Sequence, residues 1–253
     1  MARAPNWFMT HTAGRPSAAK FLNDLKHADD LEHHCIAAQG LDPQLATLRA
    51  WQARRLAGTY ADLLADPNCR PACELFLSDI YAARDFSQRN HDVERIHEFL
   101  ARILPAETIR LLTETVELNR LTIALDNRLL RVLVDQLGVT DNITPEVYAR
   151  AYRGCDNYAE RVRQIDLTRS VLIEVGEGAR RWVVGVAMRM AKLPAQRAGW
   201  GDLVDFLERG REAFGTVKDV RAFVNAIAQR ERRILDLIYA ADLEGFKRLS
   251  GLS

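Results

Sequence analysis

Apolar residues recur along this chain at spacings of three and four, which is the repeat of an amphipathic α-helix and not of a β-strand. Prolines fall between these stretches, where each would open or close a helix. The sequence therefore predicts an all-α fold, with one compact domain over residues 17–253 that follows a flexible segment at 1–16. About nine helices are predicted, at 17–39, 43–65, 72–83, 86–104, 106–137, 145–173, 178–192, 200–212 and 217–244.

Two segments carry signals for the start of a helix. Thr144 precedes Pro145, which is the pattern of an N-cap followed by proline at the first helical position. Thr216 is followed three residues later by Asp219, which has the form of a capping box. These signals predict helices that begin just after Thr144 and just after Thr216.

The helix predicted at 106–137 has two apolar faces. Only a helix that is covered on both sides needs two such faces, so this helix is predicted to be the central one of the fold. One face holds Ile109, Leu112, Val116, Ile123, Leu130 and Val134, and the other holds Leu111, Leu118, Leu121, Leu125, Leu129 and Val132.

Four polar residues fall on these apolar stripes and are the candidate binding residues. Glu231 lies among the apolar residues of the last helix, Arg120 and Asn127 lie on the first face of the central helix, and Arg89 lies in the helix before it. A lone buried charge is very costly, so inward arginines are the expected partners of an inward glutamate. The cluster is then either a buried ion network that fixes helix register, or a polar pocket for a small anionic ligand or a partner protein.

A metal site is the alternative from a different class of function. Glu94 and His97 have the Glu-x-x-His spacing that places a carboxylate and an imidazole on one side of a helix, as di-iron carboxylate enzymes require. Further glutamates for such a site would have to come from Glu114, Glu117 or Glu160. The cysteine and histidine spacings do not match the common zinc motifs.

The composition excludes some classes of protein but does not identify the function. The chain has 253 residues, with 35 basic against 34 acidic ones, which is typical of a globular protein and not of a disordered one. The longest apolar run, Trp182–Met188, is far shorter than the roughly 20 residues of a membrane span, and no secretory signal is recognised, so we expect a cytoplasmic protein. Residues 180–253 hold 14 basic and 9 acidic residues, but no nucleic-acid motif accompanies them, and a nucleic-acid partner is not expected.

No nucleophile motif, nucleotide-binding loop or dinucleotide fingerprint occurs in the sequence. A binding protein is therefore favoured over an enzyme, and the sequence names no cofactor and no oligomeric state.

The segment Leu75-Phe76-Leu77-Ser78-Asp79-Ile80-Tyr81 resembles the motif of the bacterial FFLEELY-motif proteins. The later stretch Phe206-Leu207-Glu208-Arg209-Gly210 is similar to their C-terminal half, so the resemblance spans most of the chain. This chain departs from the motif at Leu75, Ser78 and Asp79. The resemblance implies bacterial origin and helical character, and it implies no activity and no catalytic residues.

Overall fold

The computed structural model describes residues 42–75, 77, 106–179 and 201–252. Every regular element in these residues is helical, which confirms the predicted all-α class. The predicted helices at 17–39 and 86–104, nearly all of 178–192 and the segment 1–16 lie outside the described residues. The nine described helices are α1 (Asp42–Thr59), α2 (Ala61–Ala65), α3 (Arg70–Leu75), α4 (Ala106–Arg131), α5 (Pro145–Gly154), α6 (Tyr158–Ala179), α7 (Gly201–Gly215), α8 (Val220–Tyr239) and α9 (Leu243–Ser250).

Side chains cap the starts of three of these helices, α5, α8 and α9, and at α9 Asp242 accepts from the Gly245 amide at 2.8 Å. The Thr144 hydroxyl accepts a hydrogen bond from the Val147 amide at 3.3 Å, and Pro145 occupies the first turn of α5, as predicted. At α8 the predicted cap is wrong, because Asp219 and not Thr216 is the N-cap, accepting from the Ala222 amide at 2.9 Å. The Thr216 hydroxyl instead lies within hydrogen-bond distance of two carbonyl oxygens, that of Asn68 at 2.7 Å and that of Ala213 at 2.8 Å.

Two predicted long helices are each divided by a residue with a positive φ angle. The helix predicted at 145–173 is broken at Asp156, whose φ is 49°, and the chain restarts as α6. The helix predicted at 217–244 ends at Tyr239, and Ala241, whose φ is 59°, turns the chain into α9. Neither residue is a glycine, which is why the sequence did not indicate these breaks.

The helix α6 packs against three other long helices, α4, α7 and α8. The helix α8 also packs against α5 and α9, while α1 packs against α4 and α9. The prediction that α4 has two buried faces is confirmed from Leu125 onward, where α4 runs into a short π-helical segment, Val132–Gln136. The buried residues of that stretch are Leu125, Asp126, Asn127, Leu129, Leu130, Val132 and Leu133.

The buried apolar side chains form two clusters. The first core gathers around Trp51, Tyr148 and Phe246, with the Trp51 and Tyr148 rings stacked at a centroid distance of 4.0 Å. The second core gathers around Tyr60, Phe214 and Phe223. Both α1 and α8 contribute to both cores, so the two clusters are held together by shared helices. No helix in the described part of the chain is both long and apolar enough to cross a membrane.

Candidate functional site

A cavity of about 80 Å³ lies where α6 and α8 face each other beside α1. On α6 its wall is a single stripe from Arg161 to Leu172, and on α8 it is a single stripe from Val224 to Ile238. The polar side chains that line it come from five helices and from the residue that follows α1. They are Gln52 and Arg55 of α1, Tyr60 after α1, Asp126 of α4, Tyr148 and Tyr152 of α5, Arg161, Gln164, Thr168 and Arg169 of α6, and Glu231 of α8.

These polar residues stand where helical geometry would otherwise place apolar ones. On α8, Glu231 lies between Ile227 and Ile234, four residues after one and three before the other, and both isoleucines are buried. On α4, Asp126 lies four residues before Leu130, so it shares that buried stripe. The sequence thus places polar groups on inward faces, between the first and the second core.

Glu231 is held by two hydrogen bonds, one from α1 and one from the turn residue that follows it. Its Oε1 atom accepts from Arg55 Nη1 at 2.5 Å and from the Tyr60 hydroxyl at 2.6 Å. The side chain of Arg55 is 7% exposed and that of Glu231 is 22% exposed, so this ion pair is largely shielded from water. The charges of Arg55 and Glu231 therefore neutralise each other within the site.

Asp126 is the second carboxylate of the cavity. Its Oδ1 atom accepts a hydrogen bond from Gln52 Nε2 at 3.0 Å, and Arg161 Nη1 lies 4.0 Å from the same oxygen. Burial raises the pKa of Asp126 above its usual range, and the nearby Arg161 guanidinium only partly offsets this. This carboxylate is therefore incompletely compensated in the folded protein.

Arg161 is a buried cation, only 4% exposed, whose hydrogen bonds go to uncharged acceptors. Its Nη2 donates to the Leu125 carbonyl oxygen and its Nη1 to Gln164 Oε1, both at 3.1 Å. The guanidinium carbon lies 4.5 Å from the centre of the Tyr152 ring, which adds a cation–π contact. The buried atoms at this cavity that have no hydrogen-bond partner among the described residues include Arg161 Nε and Gln52 Oε1.

The polar groups that line the cavity belong to charged, amide and hydroxyl side chains. Among the described residues that line it there is no histidine, cysteine or serine, so the groups present are charged pairs, amides, phenols and one threonine. Among the described residues, Arg161 Nε is a donor without an acceptor and Gln52 Oε1 is an acceptor without a donor. A cavity with these groups can orient a small molecule that carries both a negative group and a hydrogen-bond donor.

A family model for a domain of unknown function, DUF8198, matches residues 31–244. The chain belongs to this family. No curated protein and no solved structure matches the chain. The matched region includes every residue that lines the cavity, so the site belongs to the DUF8198 domain itself.

The four predicted binding residues of this DUF8198 domain do not lie together at the cavity in the described structure. Glu231 lines the cavity, and Asn127 is buried but is not part of its wall. Arg120 is exposed, so the expectation that it faces the interior is wrong. It shares the face of Asn127 but lies seven residues earlier, about 10 Å back along the helix axis, outside the stretch from Leu125 that is buried on both faces. Arg89 lies outside the described residues.

Arg55 and Arg161, the two buried arginines of the cavity wall, were not singled out from the sequence. A signal was present on α1, where Leu45, Leu48, Gln52 and Arg55 follow one another at spacings of three and four. Arg161 lies on the same stripe of α6 as the buried Leu172, eleven residues later. Both arginines therefore lie on helical stripes that the spacing of apolar residues marks in the sequence.

The metal alternative depends on Glu94 and His97, which lie outside the described residues. The three glutamates that could have completed such a site all have arginine neighbours, because Glu114 bonds Arg110, Glu117 bonds Arg163, and Glu160 lies 3.9 Å from Arg128. Within the ranges that the structure describes, no group of three or more His, Cys, Asp or Glu side chains could hold a metal ion.

Proposed function

We propose that this DUF8198 protein is a binding protein whose cavity holds a small ligand with an anionic carboxylate group. The observation that supports this most directly is the environment of Arg161. This buried guanidinium donates to a backbone carbonyl and to an amide oxygen, and its nearest carboxylate oxygen among the described contacts is 4.0 Å away.

A buried charge is stable when a counter-charge and hydrogen bonds replace the water that it has lost. Arg161 has hydrogen bonds through Nη1 and Nη2, but its Nε hydrogen has no acceptor among the described residues. A carboxylate in the cavity would accept from Nε and would bring a negative charge closer to the guanidinium than the Asp126 oxygen, which lies 4.0 Å away. Guanidinium groups bind carboxylates strongly for this reason.

The size of the cavity limits the ligand to a few non-hydrogen atoms. Its volume of about 80 Å³ is near half of the roughly 150 Å³ that accommodates benzene in an engineered apolar cavity. Partly exposed lining residues, such as Gln164 and Thr168 on α6 and Ala228 on α8, indicate the side from which the ligand would enter.

Bacterial origin and a cytoplasmic location remain part of this proposal. They are supported by the resemblance to the FFLEELY-motif proteins and by the strong use of arginine, which makes up thirty of the 35 basic residues. A partner protein as the ligand, or a di-iron enzyme, has no comparable support from the described residues.

The test is binding of two-carbon carboxylates to the whole purified chain. Acetate, glycolate and glycine are titrated by isothermal calorimetry, with sodium chloride at matched ionic strength as the reference. We expect at least one of them to bind with a dissociation constant near millimolar, the range that so few atoms allow. Absence of binding by all three at about 50 mM would overturn the proposal.

Two variants connect any binding to the cavity. Arg161→Met removes the buried charge and keeps an unbranched side chain, and it is expected to abolish the binding. Arg163→Met is the matched control, because Arg163 lies on the same helix, is exposed and pairs with Glu117. Helix content by circular dichroism establishes that both variants fold. Unchanged binding by folded Arg161→Met would contradict the assignment.

A further inference from the structure

The cavity brings together two opposite charges that no hydrogen bond joins. Arg161 Nη1 and Asp126 Oδ1 are 4.0 Å apart, and both side chains are at least nine-tenths buried. Gln52 lies beside the same Asp126 oxygen and donates to it through Nε2, while Gln52 Oε1 has no hydrogen-bond partner among the described residues. One small molecule placed here would meet a cation, an anion and a free acceptor at once.

We propose that the ligand is a zwitterion, a small α-amino acid of the size of glycine or alanine, with its carboxylate at Arg161 and its ammonium group at Asp126 and Gln52. This inference rests on the proposed function, since it takes the cavity as a ligand site and names the class of the ligand.

Charge balance favours a zwitterion over a simple anion. Arg55 and Glu231 already form a hydrogen-bonded pair, so their charges cancel. Arg161 and Asp126 are the other shielded charges of the cavity wall, while Arg169 stands in contact with solvent and bonds Asn225. A ligand without net charge keeps the shielded part of the cavity neutral, whereas a plain carboxylate adds an uncompensated negative charge beside Asp126.

The hydrogen-bonding groups lead to the same ligand class. An ammonium group has three donors and no acceptor, so it can bond both Gln52 Oε1 and the Asp126 carboxylate. A hydroxyl group could bond only one of them as a donor. In an α-amino acid one carbon atom separates the two charged groups, a spacing of the same order as the 4.0 Å between Arg161 and Asp126.

Glycine and alanine also fit the volume. They have five and six non-hydrogen atoms, which matches a cavity of about 80 Å³. Longer side chains would have to extend past the partly exposed residues Gln164 and Thr168.

The decisive experiment compares four probes on the natural protein by calorimetry at pH 7: glycine, glycolate, acetate and methylamine. We expect glycine to bind at least about tenfold more tightly than each of the other three, because each lacks one of the required groups. If glycolate or acetate binds as tightly as glycine, the zwitterion is wrong and the proposed carboxylate site stands. If no carboxylate binds, or if methylamine binds as tightly as glycine, both proposals fail.

A variant tests the role assigned to Asp126. Asp126→Asn keeps an oxygen to accept from Gln52 and removes the negative charge. It is expected to lose at least about tenfold in glycine affinity while it keeps or gains affinity for glycolate. Asp62→Asn is the matched control, because Asp62 is exposed, pairs with Arg230 and is not part of the cavity wall. Equal losses for glycine and glycolate in Asp126→Asn would overturn the inference, and the four-probe comparison decides it even if this variant does not fold.

Discussion

Replacing Glu231 by glutamine isolates the contribution of one carboxylate charge to the stability of the fold. Glutamine has nearly the same shape and retains an oxygen that can accept from Arg55 and from Tyr60. The change therefore removes the charge while it leaves the packing of the cavity almost unaltered. The interactions that it weakens are the hydrogen bonds from Arg55, at 2.5 Å, and from Tyr60, at 2.6 Å.

The size of the effect follows from these two contacts. A hydrogen bond to a charged group contributes about 1.5–3 kcal/mol and a neutral one about 0.5–1.5 kcal/mol, so two weakened bonds cost about 2 kcal/mol. Arg55, with 7% of its side chain exposed, also loses its counter-charge, which raises the expected loss toward about 4 kcal/mol. The free energy of unfolding should thus fall by about 2–4 kcal/mol.

Urea denaturation followed by circular dichroism measures this difference. The control is Glu244→Gln, because Glu244 is 85% exposed and lies 3.8 Å from Lys247, a surface pair whose loss should cost less than about 0.5 kcal/mol. If Glu231→Gln costs no more than Glu244→Gln, the pair between Arg55 and Glu231 does not stabilise the fold, and the reasoning from burial is refuted.

Two further predictions concern stability. Asp126→Asn should be more stable than the natural protein at pH 7, and the difference should vanish toward pH 3.8. Burial raises the pKa of Asp126, so the folded natural protein loses stability as the pH rises from the unfolded-state pKa to the folded-state pKa. Denaturation across this pH range tests the prediction, and lower stability of the variant at pH 7 would contradict it. Gly58→Ala should lower the free energy of unfolding by at least about 2 kcal/mol, since its methyl group would lie 2.2 Å from the backbone oxygen of Ser250. Gly178→Ala is the control, because its methyl group would meet no atom of the described residues within 4 Å, and it should be neutral or stabilising. Equal melting temperatures for the two variants would disprove the clash.

Features that depend on short spacings could be predicted from the sequence. The all-α class follows from the apolar repeat, and the start of α5 follows from Thr144 and Pro145, which are neighbours in the chain. The second buried face of α4 was predicted from the spacing of its leucines. That prediction is correct from Leu125 onward, where neighbouring helices cover both sides.

Features that depend on distant contacts could not be predicted in this way. Arg55 and Glu231 are separated by 176 positions, and no local spacing indicates which arginine a buried glutamate meets. The breaks at Asp156 and Ala241 depend on backbone conformations that other helices impose, since neither residue type favours a positive φ strongly enough to mark a break. Arg120 was predicted to be buried and is exposed. The apolar stripe shows which side of a helix faces the core, but it does not show how far along the helix the neighbouring helices extend.

The division of the apolar interior by a polar layer has a consequence for local opening. The helix α8 gives Val224 to the second core and Ile238 to the first, with Glu231 between them, and α1 crosses the same boundary. Neither the first nor the second core can therefore open alone, because α1 and α8 would have to unwind and both cores contain residues of these two helices. Amide protons in the middle of α8 should exchange with solvent only when the whole molecule opens, whereas those of the short α2 should exchange much sooner through local fluctuations. We therefore expect the two cores to unfold as a single cooperative unit, with the cavity between them.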